Sequence, residues 1–170
     1  MKDIGVELTV NGDNTLPEWV ETGLKNLHER GFELPKNVFV SAKSFDEDSD
    51  ALAFYDSLTD SVVFNGRYSK KQLMRKTKEA YENGFYSTDN EYHILYHEIG
   101  HWFHGVKNRE AFEKLRNTKL SFNFAEKEVS QRATKNALEF IAEVFAGLMC
   151  GKKYNELIME LYKTLGGKEI

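Results

Sequence analysis

The stretch with the clearest chemical potential is His97–His101, which reads HEIGH. Two histidines four residues apart share one face of a helix, where both imidazoles can bind a single tetrahedral zinc ion. Glu98 follows the first histidine, a position from which a glutamate takes a proton from the attacking water. The pattern predicts a catalytic zinc site with His97 and His101 as ligands and Glu98 as general base. The alternative is a helix that carries surface histidines.

A second unusual stretch is 137–150, ALEFIAEVFAGLMC, where only Glu139 and Glu143 are neither apolar nor glycine. A buried ionised carboxylate is costly unless a positive charge compensates it. On a helix the two glutamates share one face. One can be the third zinc ligand, and the other can accept the N–H of a ligand imidazole. The sequence alone does not decide which glutamate has which role, and a salt-bridged structural pair is the alternative.

Other sources of a third ligand are less suitable. A metzincin layout needs a glycine three residues after His101 and a histidine three residues further on, but His104 and Lys107 stand there. No histidine follows His104, and Glu126 and Glu128 lie in polar surroundings that need no compensating cation. A helical glutamate with one zinc ion per chain is therefore the expected arrangement.

HEIGH followed by EFIAE resembles the gluzincin zinc peptidases, whose third ligand is a glutamate on a separate helix. The resemblance is greatest to the catalytic domain of anthrax lethal factor and to small zincin-like metallopeptidase domains encoded by phages and mobile elements. It covers 51–149 in layout, but only the two helices are specific. It implies that Glu139 binds zinc and that Glu143 is the partner of His97.

The resemblance also implies a zincin-like fold. Its twisted sheet would have an edge strand, formed by 51–55 or 61–65, that can pair with an extended peptide. The ImmA/IrrE-type peptidases have a similar glutamate helix, so they are the alternative family that the chain resembles.

One position departs from the lethal factor pattern. That family member has a tyrosine seven residues before its ligand glutamate, where this chain has Arg132. Stabilisation of the oxyanion is therefore expected from Arg132, from Tyr86, Tyr92 or Tyr154, or from the zinc alone.

Three weaker candidates accompany this site. His93 precedes His97 by four residues, but it lacks a following glutamate and lies one turn too far towards the N-terminus. His104 is expected to be a histidine at the helix end. Phe122 and Phe124 either line a substrate cleft or are buried under their loop.

The elements that position these residues follow from periodicity and capping signals. A strand-rich first half and a helical second half predict an α+β domain over 1–170. We expect a small twisted mixed sheet in the N-terminal half, packed against the active-site helix and a C-terminal helix with the ligand glutamate. The predicted strands are 4–10, 37–43, 51–55 and 61–65, with a hairpin turn at 56–60. The predicted helices are 15–30, 69–83, 91–104, 108–117, 127–150 and 154–165, with 118–125 irregular.

Composition restricts the function classes. The 170 residues include 41% hydrophobic and 29% charged residues, with a net charge of −4 and a pI near 5.8. This mild acidity argues against a nucleic-acid partner. Cys150 is the only cysteine, so no disulfide framework is expected. The N-terminus is too polar for a signal peptide and no apolar run is long enough to span a membrane, which favours a cytoplasmic protein.

The sequence therefore predicts a single-domain zinc metalloendopeptidase of the HExxH type that acts on a peptide or protein substrate. Two alternatives stay open. One is a phage or mobile-element structural protein that retains zinc with little activity and assembles with phage structural proteins. The other is a regulatory module that binds a partner peptide without cutting it.

Overall fold

A computed structural model describes residues 1–12, 15–107, 109–118 and 123–170. The chain divides into two compact units, Met1–Arg75 and Lys76–Ile170. The predicted α+β class with a small mixed sheet is confirmed. Within the described ranges, no helix has the length and apolar character needed to cross a membrane.

The first unit contains the sheet. Strands β1 and β2 are parallel, β2 and β4 are parallel, and β3 pairs antiparallel with β4, so the order is β1-β2-β4-β3. The elements of this unit are a 3₁₀ turn at Lys2–Ile4, β1 Glu7–Asn11, α1 Leu16–Glu29, β2 Asn37–Ser41, β3 Ala53–Asp56 and β4 Ser61–Phe64.

Helix α1 is amphipathic, with Pro17 in its first turn and one stripe of buried residues that includes Trp19. Trp19 packs edge-on against Phe64 of β4, with 5.6 Å between the ring centroids. The predicted hairpin at 56–60 is confirmed, because Asp56 accepts hydrogen bonds from Leu58 N and Thr59 Oγ1 in the turn. Strand β3 lies at the edge, so the alternative that 61–65 forms the edge strand is wrong.

The second unit is helical in the part of it that the structure describes. Its first helix, α2, begins before the boundary between the units. Helices α3 and α6 pack on each other, α4 contacts both of them, and α7 contacts α6. The elements are α2 Lys70–Glu82, α3 His93–Lys107, α4 Arg109–Arg116, α5 Asn123–Glu128, a 3₁₀ turn at Arg132–Thr134, α6 Ala137–Met149 and α7 Glu156–Thr164.

Helices α3 and α6 approach closely at Gly100. A Cβ at this position would lie 3.2 Å from Ala142 Cα and 3.2 Å from Phe145 Cδ1. The absence of a side chain therefore allows α3 to pack directly on the helix that bears the two glutamates. Both helices are almost entirely buried.

The predicted continuous helix at 127–150 is wrong. The chain leaves α5 after Glu128, forms the 3₁₀ turn, and starts α6 at Ala137. Asn136 stops the helix from extending backwards, because its backbone is extended and its side chain accepts a hydrogen bond from Glu139 N. The prediction of irregular structure at 118–125 is also wrong from Asn123 onwards, where α5 begins. Phe122 lies outside the described residues.

Candidate metal centre

The two motif histidines lie side by side in the middle of α3. His97 is 1% exposed and His101 is 8% exposed. Their Nε2 atoms are 3.1 Å apart, which matches the expectation that i and i+4 imidazoles face the same side of a helix. Each ring therefore presents one nitrogen to the same small volume.

Glu139 of α6 completes this group. Its Oε2 lies 3.2 Å from His97 Nε2, and its Oε1 lies 3.6 Å from His101 Nε2. A tetrahedral ion with metal–ligand distances of about 2.0–2.1 Å separates neighbouring ligand atoms by about 3.4 Å. The separations of 3.1 Å between the two imidazoles and 3.2 Å between His97 and Glu139 Oε2 are close to this value, and Glu139 Oε1 lies near His101, so the three residues could hold a metal ion. We call these three residues the outer cluster.

Glu143 lies one turn further along α6 and is completely buried. Its Oε2 accepts hydrogen bonds from Ser87 N at 2.7 Å and from Ser130 Oγ at 2.9 Å. Its Oε1 lies 2.8 Å from His97 Nδ1 and 3.2 Å from His93 Nε2. We call His93, His97 and Glu143 the inner cluster; it is the second group whose geometry could accept a metal ion. His97 belongs to both clusters and faces them with different nitrogens.

The electrostatics of both glutamates favour the ionised form. Burial alone would raise the pKa of Glu139, but hydrogen bonds and charge interactions with His101 and His97 hold it well below its ordinary value. Burial alone would also raise the pKa of Glu143, but interactions with His93 and His97 hold it well below its ordinary value. Both sites therefore keep a negative charge that needs a cation or several donors.

His97 lies between these carboxylates. Burial and the nearby charge of Arg132 would lower its pKa, but hydrogen bonds to Glu139 and Glu143 raise it to about 9. The surroundings of this ring therefore stabilise positive charge. This is the electrostatic environment that a bound cation requires.

Arg132 comes into the same site from the 3₁₀ turn before α6. Its Nε donates to Glu139 Oε2 at 2.5 Å, and its Nη1 donates to Tyr86 Oη at 3.4 Å. The guanidinium also lies over the rings of Phe85 and Tyr86, at 5.9 and 5.6 Å from their centroids. Arg132 therefore supplies one positive charge to the outer cluster and connects it to Tyr86.

Glu98, the expected general base, is 3% exposed on α3. Its charge interacts with both Arg132 and Tyr86. Burial raises the pKa of Tyr86 to about 12, so its hydroxyl keeps its proton at neutral pH. Both of these groups, the Arg132 guanidinium and the Tyr86 hydroxyl, are hydrogen-bond donors.

The other sequence candidates separate clearly. Tyr154 lies against Gly147 of α6, with its hydroxyl 3.5 Å from Glu143 O, and Tyr92 packs against Tyr96 at the start of α3. Tyr86 contacts Arg132. Glu126 is exposed, and Glu128 accepts a hydrogen bond from Asn155 Nδ2.

The remaining weak candidates are His104, Phe124 and His93. His104 is buried near Leu165, and its pKa is lowered by burial and by the neighbouring His101. Phe124 is half-buried. His93, the weaker candidate for a metal ligand, contacts Glu143 through Nε2, and its ring centroid lies 6.0 Å from that of His97.

Sequence reasoning did not identify Ser87 and Ser130 as partners of Glu143. Ser87 is 56 residues from Glu143 in the sequence. It donates its backbone N–H, which any residue other than proline would supply. Ser130 is nearer in sequence, but it also accepts a hydrogen bond from Ala133 N in the 3₁₀ turn. No residue pattern indicates contacts of these kinds.

Comparison with protein-family models, with curated proteins and with solved structures returns no match for this chain. The zincin-like fold and the peptidase activity therefore stay predictions, and their support is the geometry of α3 and α6.

Proposed function

We propose that the chain is a zinc-dependent metallopeptidase in which His97, His101 and Glu139 hold the metal. The observation that carries the proposal is the convergence of two imidazole nitrogens and one carboxylate from different helices, with separations of 3.1–3.6 Å. Two N ligands and one O ligand form a donor set that suits zinc and leaves a fourth position open. The directly adjacent Glu98 has no role in metal retention, which favours catalysis over a purely structural ion.

Zinc bound here would polarise the scissile carbonyl and lower the pKa of the attacking water. Glu98 takes the proton from that water and later gives it to the leaving amine, so one side chain acts as base and then as acid. Its low exposure keeps bulk water from competing for the proton.

The developing oxyanion needs a hydrogen-bond donor, and Arg132 with Tyr86 supplies it in this proposal. Arg132 is fixed by Glu139, and its Nη1 lies 3.4 Å from the Tyr86 hydroxyl. Burial keeps Tyr86 protonated at neutral pH. Loss of one such donor lowers kcat by about 10²–10³-fold in enzymes that act on acyl groups.

The test compares wild-type protein with Glu98→Gln for zinc content and for cleavage of a proteome-derived peptide library. We expect one zinc ion per chain in both proteins, with cleavage only by the wild type. Glu126→Gln, an exposed glutamate on α5, is the matched control and should cleave like the wild type. Equal cleavage by wild type and Glu98→Gln would remove the peptidase proposal.

One observation favours a second candidate, a zinc-retaining or peptide-binding protein without turnover. Arg132 already compensates the charge of Glu139, so this carboxylate has a positive partner other than a metal ion. Bound zinc without cleavage of any peptide would support the phage-related structural alternative. A protein that binds peptides but no zinc would support the regulatory module.

A further inference from the structure

The inner cluster is a group of interacting polar side chains inside the core. His93, His97 and Glu143 are 0–1% exposed. Glu143 Oε1 lies between the two imidazoles, 3.2 Å from His93 Nε2 and 2.8 Å from His97 Nδ1. The cluster shares His97 with the outer cluster, so its arrangement controls how that ring faces a metal.

A second metal ion does not suit the inner cluster. The two oxygens of Glu143 already have four donors nearby: His93, His97, the Ser87 N–H and the Ser130 hydroxyl. Four is about the number of lone-pair sites on a carboxylate. An ion there would displace the protons of two imidazoles, and His97 would then have to bridge two metals as an anion. Hydrogen bonding therefore accounts for the inner cluster better than a metal does.

The proton of His93 can be assigned from its surroundings. Its Nδ1 is buried and has no hydrogen-bond partner, whereas its Nε2 faces Glu143. A buried N–H without an acceptor costs about 1–3 kcal/mol. The proton therefore belongs on Nε2, where it is donated to Glu143 Oε1. The His93 ring is itself held by Tyr86, with 4.7 Å between the centroids and 33° between the planes.

We propose that His93 is a positioning residue for the zinc site of the proposed function, on which this inference rests. His93 holds Glu143 Oε1 in place, and this oxygen, 2.8 Å from His97 Nδ1, favours the proton of His97 on that nitrogen. The lone pair of His97 Nε2 then faces His101 and Glu139. If the donor at position 93 is lost, Glu143 Oε1 keeps a single imidazole partner, and the carboxylate can turn away from His97.

The experiment measures zinc affinity by competition with a chromophoric chelator, together with zinc stoichiometry and the visible spectrum of the cobalt-substituted protein. The variants are His93→Phe, which removes the donor but keeps a ring, and His93→Gln, whose amide nitrogen can replace Nε2. We expect zinc affinity to fall about 10–100-fold in His93→Phe, the range typical of lost ligand-supporting hydrogen bonds. His93→Gln should stay within about threefold of the wild type, because it restores the donor.

A structural role alone would lower the melting temperature of His93→Phe without changing its cobalt spectrum or the zinc affinity of the folded fraction. If His93→Phe does not fold, His93→Asn provides a polar variant whose amide is too short to reach Glu143, with the same expected loss of affinity. In the zinc-loaded wild-type protein, ¹⁵N NMR should show the proton of His93 on Nε2 and that of His97 on Nδ1.

Three results would overturn the inference: zinc affinity unchanged in His93→Phe or in its substitute His93→Asn, two zinc ions per chain, or no zinc binding by the wild type. The peptidase proposal fails on separate results. These are zinc-loaded protein that cleaves no peptide, or cleavage that continues in Glu98→Gln. The two failures can therefore be distinguished.

Discussion

Two glutamates on one helix, four residues apart, have very different surroundings. Glu139 is 18% exposed at its side chain and has contacts with two imidazoles and one guanidinium. Glu143 is completely buried and has four donors, two of them from segments outside α3 and α6. The same residue type therefore forms the accessible ligand of the outer cluster and the closed centre of the inner cluster.

We expect this difference in surroundings to give the two carboxylates different roles. An accessible carboxylate with unsaturated oxygens can bind an ion that arrives from solvent, whereas a saturated buried carboxylate supports its neighbours. Glu143 connects α3, α6, the Ser87 segment and the Ser130 segment. We expect the inner cluster to determine the stability of the second unit and to orient His97, and the outer cluster to bind the metal.

The largest predicted effect is the loss of stability in Glu143→Ala. This substitution leaves buried donors without their acceptor, so we expect the free energy of unfolding to fall by about 3–5 kcal/mol. Glu139→Ala should cost about 1–2 kcal/mol, because its partners are closer to solvent. Urea unfolding in the presence of a chelator measures both values. Equal losses would contradict the proposed division between the two clusters.

Part of this division was visible in the sequence. The HEIGH spacing and the two glutamates in an apolar run indicated which side chains come together, because helical periodicity determines which residues share a face. The division of labour between Glu139 and Glu143 came only from the family resemblance. Their different burial depends on tertiary contacts that no local pattern contains.

The missed helix break has a local explanation. Apolar periodicity dominated the prediction of 127–150, although Asn136 directly before ALEF is a recognisable N-cap signal. The contact between Arg132 and Glu139 depends on this break, since Arg132 lies in the 3₁₀ turn. A single continuous helix would have put the two residues on a common helix instead.

The second prediction concerns the effect of zinc on the outer cluster. A ligand at 100 times its dissociation constant stabilises the protein that binds it by about 2.7 kcal/mol. We expect this gain for the wild type and no gain for Glu139→Ala at the same zinc concentration. Calorimetry with and without zinc measures the shift in melting temperature. Equal stabilisation of both proteins would move the third ligand away from Glu139.

The third prediction is a smaller effect within the inner cluster. Ser130→Ala removes a hydrogen bond to the Glu143 carboxylate and leaves Ala133 N without its acceptor. We expect a loss of about 2 kcal/mol in the free energy of unfolding, measured in urea. Ser49→Ala, which removes a hydroxyl near the surface of the first unit, is the control and should cost less than about 0.5 kcal/mol. A loss for Ser130→Ala as small as that of the control would contradict the role assigned to this hydroxyl.

The smallest loss of stability is expected at the helix caps. The cap of α6 also tests whether an ordered backbone at the start of this helix helps to position the ligand Glu139. Asn136 caps α6 by accepting a hydrogen bond from Glu139 N, and Asn155 caps α7 in the same way through Ile158 N. Replacement of either cap by alanine should cost about 1 kcal/mol of stability.

The two cap variants should differ in zinc affinity. Asn136→Ala frees the backbone of Glu139 itself, so its carboxylate loses part of its fixed position relative to His97 and His101. Asn155→Ala leaves the outer cluster untouched. We therefore expect weaker zinc binding only in Asn136→Ala, measured by chelator competition under conditions where both variants are folded. Equal affinities at equal stability loss would mean that the contacts to Arg132, His97 and His101 fix Glu139 without help from the cap.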